Sequence, residues 1–582
     1  LTTASSFALG QNLPPTNPLF SGTPLLYPFL PDFHGATLIA LGVSAGPALA
    51  LGSGVLAVTL VLLVIALARR LGIGLGGAVV AAAICLIGGG VGFIGLFRDA
   101  CTAGGTVAAN CNLGFIITHL GDAPGIVGST LTHLPGIIAA QPHAYDGLLT
   151  SASDQAFANQ QWYTPLFSWW LPQRSMLYGF DLAVAVLLLV LTALQSRAPQ
   201  WAAFAVSGVL IGVLPLVHAQ SLFVLAVLLL VLGLRHGRRE WLVLIGVALV
   251  LAAPRLVQIA FAAHGAKSAG NLYPYIQPGW KANDNLHLDL TPRNLVDGTL
   301  QSLGYLGTGS WWGFWLANLG AALPLCIVVT LGALARFAGG GVQQLGMRVT
   351  GFAGASLLEL LAGAMVIFAL CDVIVFQSWD WDNTKLYVYW YLIAGLLAAA
   401  LASHWWRRGS WRTLAAVLLP GSMLLTGLIV MLRLLPWTPA ADQVTGPYTV
   451  ASGDEVAMAA QLVRATPGDA VFLTFGRPND PLLAVAGRTG VMGYYGWLWS
   501  YGIDFGTRVQ DVISMYAGCS NGAPCQVVPL LHQYHVSYVE IDDRVTDSGA
   551  ITSSVNAAWW AAQGYPVVAR SQHITVYDVR GA

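Results

Sequence analysis

Charge is what this chain has least of. Only 9% of its 582 residues are Asp, Glu, Lys or Arg, against about a quarter in an ordinary soluble domain, and 26 basic residues balance 26 acidic ones. With no net charge and scattered basic residues, there is no electrostatic footprint for DNA or RNA, and nucleic acid is excluded as a partner. Catalytic signatures are missing as well. The chain has no Walker loop, no His-Glu-x-x-His helix and no paired Cys-x-x-Cys, so NTPase and zinc-enzyme readings have no anchor.

Hydrocarbon stands in place of charge: 56% of the residues are hydrophobic and the mean hydropathy is +0.67. Apolar runs able to cross a hydrocarbon core of about 30 Å occur at 52–69, 74–97, 177–195, 201–217, 219–234, 240–262, 311–335, 351–377, 386–404 and 411–433. These ten candidate spans predict a polytopic membrane protein. Arg69 and Arg70, Arg197, Arg235 to Arg239, Arg336 and Arg348, and Arg407 to Arg412 fall in alternate short loops, which the positive-inside rule assigns to the cytoplasm. The opposite face then carries the loops 1–51, 98–176 and 263–310, the turn at His218, the Asp380–Lys385 cluster and everything after 434.

Cysteines give the same sidedness. Cys101 and Cys111 share one polar loop and Cys519 and Cys525 another, which predicts disulfides in an oxidising compartment, while Cys85, Cys326 and Cys371 lie in apolar runs as core thiols. The expected localisation is a bacterial cytoplasmic (inner) membrane, with the N-terminal stretch and the C-terminal domain outside it. An even number of spans and an external C-terminus also predict that a helix or signal precedes Leu1.

The first forty residues are proline-rich and read as an ordered extended loop. From 36 an apolar segment leads through Pro47 as an interfacial helix followed by a crossing. After about 438 the composition changes. Strand-like runs at 471–475, 536–541, 566–569 and 574–579 alternate with helical ones at 454–465, 504–517, 526–534 and 553–563, which predicts an α/β domain over 438–582 beside a membrane domain over 1–437. No Gly-x-Gly-x-x-Gly follows a strand there. Its unusual loop runs from Gly493 to Gly502, where Tyr494, Trp497 and Trp499 suit either sugar stacking, as an acceptor or docking loop, or core packing.

The polar positions that remain come from separate loops: Asp32 and His34, Gln173 and Arg174, His218, and the cluster Asp380, Asp382, Asn383 and Lys385. Converged, they form an outer-leaflet cavity with carboxylates for a base or metal and cations for a phosphate. For each there is a plainer alternative. Arg174 beside Trp169 and Trp170 fits an aromatic belt with a snorkelling cation, and a lone His218 at a helix turn is commonly structural. Asp181, Arg255, Glu359 and Asp372 lie in or near spans, where ionisable groups are costly and mark either function or a buried pair.

Asn17–Phe33, Leu171–Ser175, Leu214–His218, Trp381–Lys385 and Gly493–Gly502 together resemble bacterial polytopic proteins similar to the GT-C superfamily of membrane glycosyltransferases, which includes the protein mannosyltransferases. The resemblance covers most of the chain. It implies a mainly α transmembrane bundle with an extracytoplasmic α/β domain, and transfer of a sugar from a polyprenyl-phosphate donor to an external acceptor. Asp382 and Asp380 would serve as base or metal ligands, and Arg174, Lys385, His218 and Gln173 would hold the donor phosphate, with magnesium or manganese as the cation the chemistry would take. GT-C enzymes place an acidic motif after their first helix, and this chain starts inside the corresponding loop at Leu1. Two further readings therefore stay open: an inactive GT-C-like subunit with protein neighbours in a membrane assembly, and a lipid or solute transporter, against which the lack of repeated broken helices counts.

Overall fold

The computed structural model describes residues 1–96, 132, 133, 136, 162, 164–265, 274–279, 311–377, 379–433, 449–519, 525–544 and 554–582. Cys101 and Cys111 lie outside the described residues, as does most of the loops 98–161 and 280–310.

Helices α1 (Thr2–Leu9) and α2 (Leu30–Ala40) precede α3 (Ala45–Arg70) and α4 (Leu75–Ile87). Next come α5 (Arg174–Gln195), α6 (Trp201–Gly212), α7 (Ala219–Arg235) and α8 (Glu240–Gly265). The membrane part ends with α9 (Trp311–Leu319), α10 (Ala322–Ala335), α11 (Gly340–Thr350), α12 (Ala355–Val373), α13 (Thr384–Trp406) and α14 (Trp411–Arg433). Among the described residues, α3, α5, α8, α12, α13 and α14 are long and apolar enough to cross a membrane, and α4, α6 with its following turn, α7 and α10 are shorter apolar helices. All ten candidate runs thus contain an apolar helix, in a multi-pass membrane protein.

The differences are at the ends. The 311–335 run is two helices, because Gly320 takes a left-handed φ of 54° between them. Helix α4 stops at Ile87, before Gly88, Gly89 and Gly90, where successive glycines oppose continuation. Helix α12 stops at Val373, and the β-branched Ile374–Val375 (β2) pairs antiparallel with Tyr275–Ile276 (β1). The crossing helix α3 starts at residue 45 rather than 52, and the first forty residues, read as extended, open with α1, since no proline precedes Pro14, and close with α2, where Pro31 stands in the first turn.

Burial ranks these helices. The α13 span is 89% buried and the α3 span 17%, so α13 is the bundle's axis and α3 turns most of its surface to lipid. Tyr387, Tyr389, Trp390 and Tyr391 are all buried on α13, and the Tyr391 hydroxyl reaches the Gly89 carbonyl at 3.1 Å. At the opposite end of the bundle from Arg174, Arg70 donates to the Thr192 carbonyl (3.1 Å) and Arg238 to that of Ala193 (3.2 Å). These bonds occupy carbonyls that the last turn of α5 cannot satisfy itself.

The C-terminal region is an α/β fold. A capping box of Ser452 and Glu455 starts α15 (Gly453–Ala465), followed by β3 (Val471–Leu473), β4 (Thr489–Gly490), α16 (Tyr495–Ser500), α17 (Gly506–Ala517) and α18 (Val527–Gln533). Then come β5 (Val536–Asp542), α19 (Ala557–Ala562), β6 (Val567–Arg570) and β7 (Ile574–Asp578). The sheet order is β4-β3-β5-β7-β6, parallel through β4, β3 and β5 and antiparallel beyond. Side chains alternate across it. Phe472 and Tyr538 pack against Met458 and Leu462 of α15, whereas Leu473 and Val539 face Tyr516 and Trp560. Burying such a side chain stabilises by roughly 1.5–3 kcal/mol.

Residues 1–21 join the two regions. Ser5 Oγ donates to the Ala484 carbonyl at 2.7 Å, Arg488 to that of Leu9 at 2.9 Å, and Gly493 N–H to that of Leu19 at 2.6 Å. Leu19 and Phe20 enter the α/β core. The Arg508 guanidinium lies 3.6 Å above the Phe20 ring and donates to the Ser21 carbonyl at 2.8 Å. The chain entering the bundle is therefore held by the domain that follows it.

Candidate functional site

The site lies where α2, the first turn of α5, the turn before α13 and the α/β domain meet. Asp32 is in the first turn of α2, where a carboxylate suits the positive end of the helix. Arg174 opens α5, where the same dipole disfavours a cation, and it is compensated by an ion pair to Asp32. Both side chains are largely buried. Gln173 flanks this start and donates to the Ser168 carbonyl at 3.3 Å, holding the preceding turn.

A second ion pair comes from the other side. Asp380–Asn383 is a 3₁₀ turn leading into α13, and Lys385 Nζ lies 2.8 Å from Asp382 Oδ2. The side chain of Asp380 lies outside the described residues. Asn383 is 1% exposed and fully engaged, donating to the carbonyls of Cys371 (2.9 Å) and Ile374 (2.7 Å) and accepting from Phe376 N–H (3.3 Å). It latches the turn onto the end of α12 and β2.

Tyr27 lies within the electrostatic reach of both pairs. Its hydroxyl is 3.2 Å from Ser175 Oγ and its ring packs, tilted by 31°, on Tyr501 of the α/β domain with centroids 4.8 Å apart. Burial pushes the Tyr27 hydroxyl up, and of the charges around it Asp32 and Asp382 act in the same direction. Tyr501 is also raised well above the usual phenol value, first by burial and then by Tyr27, Asp32 and Asp382. Both carboxylates thus act on one pair of phenols. Neither tyrosine carried a functional signal in the sequence beyond its place beside Pro28 or in an aromatic–glycine segment.

His218 sits deeper. It is 4% exposed, its Nδ1 is 2.8 Å from Ser221 Oγ, and Ser221 in turn bonds Tyr389. The charge of Lys385 reaches it. A Cβ on Gly179 would stand 2.4 Å from the His218 Cβ, so glycine permits this approach. His34 hydrogen-bonds Tyr178 on α5 and lines a groove of about 710 Å³. The groove walls are α2 through Phe33, α3 through Leu56 and Leu63, and α5 through Tyr178 and Leu182.

The Gly493–Gly502 segment, expected as a loop, contains α16, on which Tyr495 is 51% and Trp499 48% exposed. Tyr494 packs edge-on against Trp497 at 5.4 Å, so those two rings are partly committed to the domain. Cys519 and Cys525 form a disulfide, and Cys85, Cys326 and Cys371 are buried free thiols. Among the described residues no three His, Cys, Asp or Glu side chains gather as a cation site, and both Asp32 and Asp382 already hold a cationic side chain. Gly42-Val43-Ser44-Ala45-Gly46 spells Gly-x-Ser-x-Gly, but it joins helix α2 to helix α3, whereas a nucleophile elbow joins a strand to a helix.

No family model and no curated protein matches the chain. Solved structures similar to it include the arabinofuranosyltransferase AftD from mycobacteria, at 15% identity and a TM-score of 0.42 over 95% of this chain and 35% of that one. The R1389S mutant of AftD in its class 2 structure gives 15% identity and 0.43 over 94% and 36%. ArnT from Cupriavidus metallidurans bound to undecaprenyl phosphate gives 11% identity and 0.31 over 99% and 93%. The chain spans about a third of the length of AftD.

Proposed function

We propose that this chain is an integral-membrane glycosyltransferase that moves a sugar from a polyprenyl-phosphate donor to an acceptor outside the cytoplasmic membrane. The observation that carries this reading is that the carboxylates of the Asp32–Arg174 and Asp382–Lys385 pairs both act on one packed pair of phenols, Tyr27 of the bundle's outer end and Tyr501 of the α/β domain. The resemblance to GT-C enzymes stated from the sequence motifs agrees with it. In this reading the site-bearing end faces outward, which the positive-inside rule and the place of Arg70 and Arg238 at the other end of α5 support.

In this reading the donor's tail stays in lipid and its phosphate meets Arg174 and Lys385. Guanidinium and ammonium groups stabilise the charge that develops on the leaving phosphate. As Lys385 turns to the phosphate, Asp382 is released to act as base. The acceptor hydroxyl gives its proton to Asp382 and its oxygen bonds the anomeric carbon, while the bond from that carbon to the phosphate oxygen breaks with its electron pair. Gln173 and His218 join Arg174 and Lys385 around the donor phosphate, and Tyr494, Trp497 and Trp499 face the acceptor side. The test is transfer from a radiolabelled polyprenyl-phosphate sugar in proteoliposomes. Asp382→Asn should abolish it with the fold intact, and unchanged transfer removes Asp382 as the base.

One observation favours a second reading, an inactive structural subunit. Each cation is already held by a carboxylate, and Tyr27 packs on Tyr501 of the α/β domain. Wild-type proteoliposomes inert with every polyprenyl-phosphate sugar tried would favour it.

A further inference from the structure

The groove along α2, α3 and α5 contains one group that the transfer reading does not use. Each helix presents a stripe at helical spacing: residues 30, 33, 34 and 37 from α2, 56, 59 and 63 from α3, and 178, 181, 182 and 185 from α5. The wall is apolar except for five side chains, and four of these are satisfied within the protein. His34 and Tyr178 bond each other, Thr37 donates to the His34 carbonyl at 2.7 Å, and Thr59 donates to the Val55 carbonyl at 2.9 Å. Asp181 is the exception. It is 5% exposed, and neither carboxyl oxygen has a hydrogen-bond partner among the described residues.

A carboxyl in hydrocarbon without a partner costs several kcal/mol. Its neighbours offer no relief. The hydroxyl of Tyr389, whose environment includes Asp181, is bonded to Ser221, and Cys85 carries only a weak thiol donor. What can meet Asp181 is whatever fills the groove. On α5, Asp181 lies one turn below Tyr178 and about 10 Å along the axis from Arg174, at 1.5 Å per residue. A polyprenyl tail is hydrocarbon at that depth and offers no donor.

We propose that the groove binds a second amphiphile, a lipid whose chain carries a hydroxyl at the depth of Asp181, and that Asp181 is the residue selecting it. The hydroxyl donates to the carboxyl while the chain on either side covers Phe33, Leu56 and Leu182. This inference concerns binding alone and does not depend on sugar transfer.

The test uses the full chain in nanodiscs and lysophosphatidylglycerols with a stearoyl chain or stearoyl chains hydroxylated at successive positions, with affinity read by native mass spectrometry. Wild type should bind one mid-chain isomer about tenfold more tightly than the plain stearoyl lipid. Asp181→Leu should lose that preference while keeping or improving plain-chain binding, which also shows that the groove remains folded. Asp181→Asn, whose amide oxygen still accepts, should keep part of it. Equal binding of all chains by wild type, or a preference that survives in Asp181→Leu, overturns the proposal. Loss of all lipid binding in both variants while they remain folded overturns it too, because the groove would then depend on Asp181 for its shape rather than for selection.

Discussion

Replacing Asn383 with alanine tests whether the candidate base is held by a latch. The side chain bonds three main-chain groups, the buried carbonyl of Cys371 and the part-buried carbonyl of Ile374 and N–H of Phe376. Each buried group left unpaired costs about 1–3 kcal/mol, and the part-buried ones cost less, so Asn383→Ala should lose about 3 kcal/mol of local stability. At 1.4 kcal/mol per decade this is roughly a hundredfold rise in local opening. Hydrogen exchange of the peptide covering residues 374–385 reads that opening through the Phe376 amide. Asn383→Asp should also loosen the segment, because it keeps the acceptor for Phe376 but turns carboxylate oxygen toward two carbonyls. Since Asp382 and Lys385 flank the latch, transfer should fall in step with the exchange. Exchange within threefold of wild type in Asn383→Ala would refute the reasoning, and normal exchange with lost transfer would move Asn383 into direct substrate contact.

In the α/β domain, Arg477 lies among Asp480, Glu540 and Asp542, with Glu540 fully buried. Removing one member of a buried ionic group typically costs about 3–5 kcal/mol, so Arg477→Met should melt clearly below wild type, and adding Glu540→Leu should recover much of the loss. A melting point unchanged in Arg477→Met contradicts this. Acid should destabilise the same domain. Burial pushes Asp542 and Glu455 up, but bonds to Arg544, with Arg477 at Asp542 and the Ser452 N–H at Glu455, more than offset it, and both end below their ordinary values. Their contribution is present above the unfolded carboxylate values and is lost as pH falls through the lower folded ones. Glu540, raised by burial and then by Asp480, works in the opposite sense and costs stability as pH rises. Arg544→Gln should therefore flatten the acid limb of a melting-temperature-against-pH profile, and an unchanged limb assigns it to other groups.

Some of this was legible locally and some was not. Apolar runs placed all ten apolar helices, because a segment that must bury its own main chain in hydrocarbon announces itself by composition. Period-two runs placed β3, β5, β6 and β7, whereas the two-residue β4 and the helix α16 were too short to show a period. Asp382 and Lys385 were found as charges beside a span. Asn383, in the same cluster, looked like a ligand-facing amide and is a main-chain latch, since sequence does not show where an amide's bonds go.

What the sequence determined by itself is the membrane class, the two-region layout and the bipolar charge pattern, all of which depend on composition within a window of one helix. Tertiary structure alone decided that Asp32 meets Arg174 across 142 positions and that Tyr27 packs on Tyr501 of another region. It also decided that Asp181 faces a groove without a partner. Those relations come from how helices with similar apolar surfaces pack side by side. Lipid-facing and helix-facing residues are equally hydrophobic, so that choice leaves little trace in the chain.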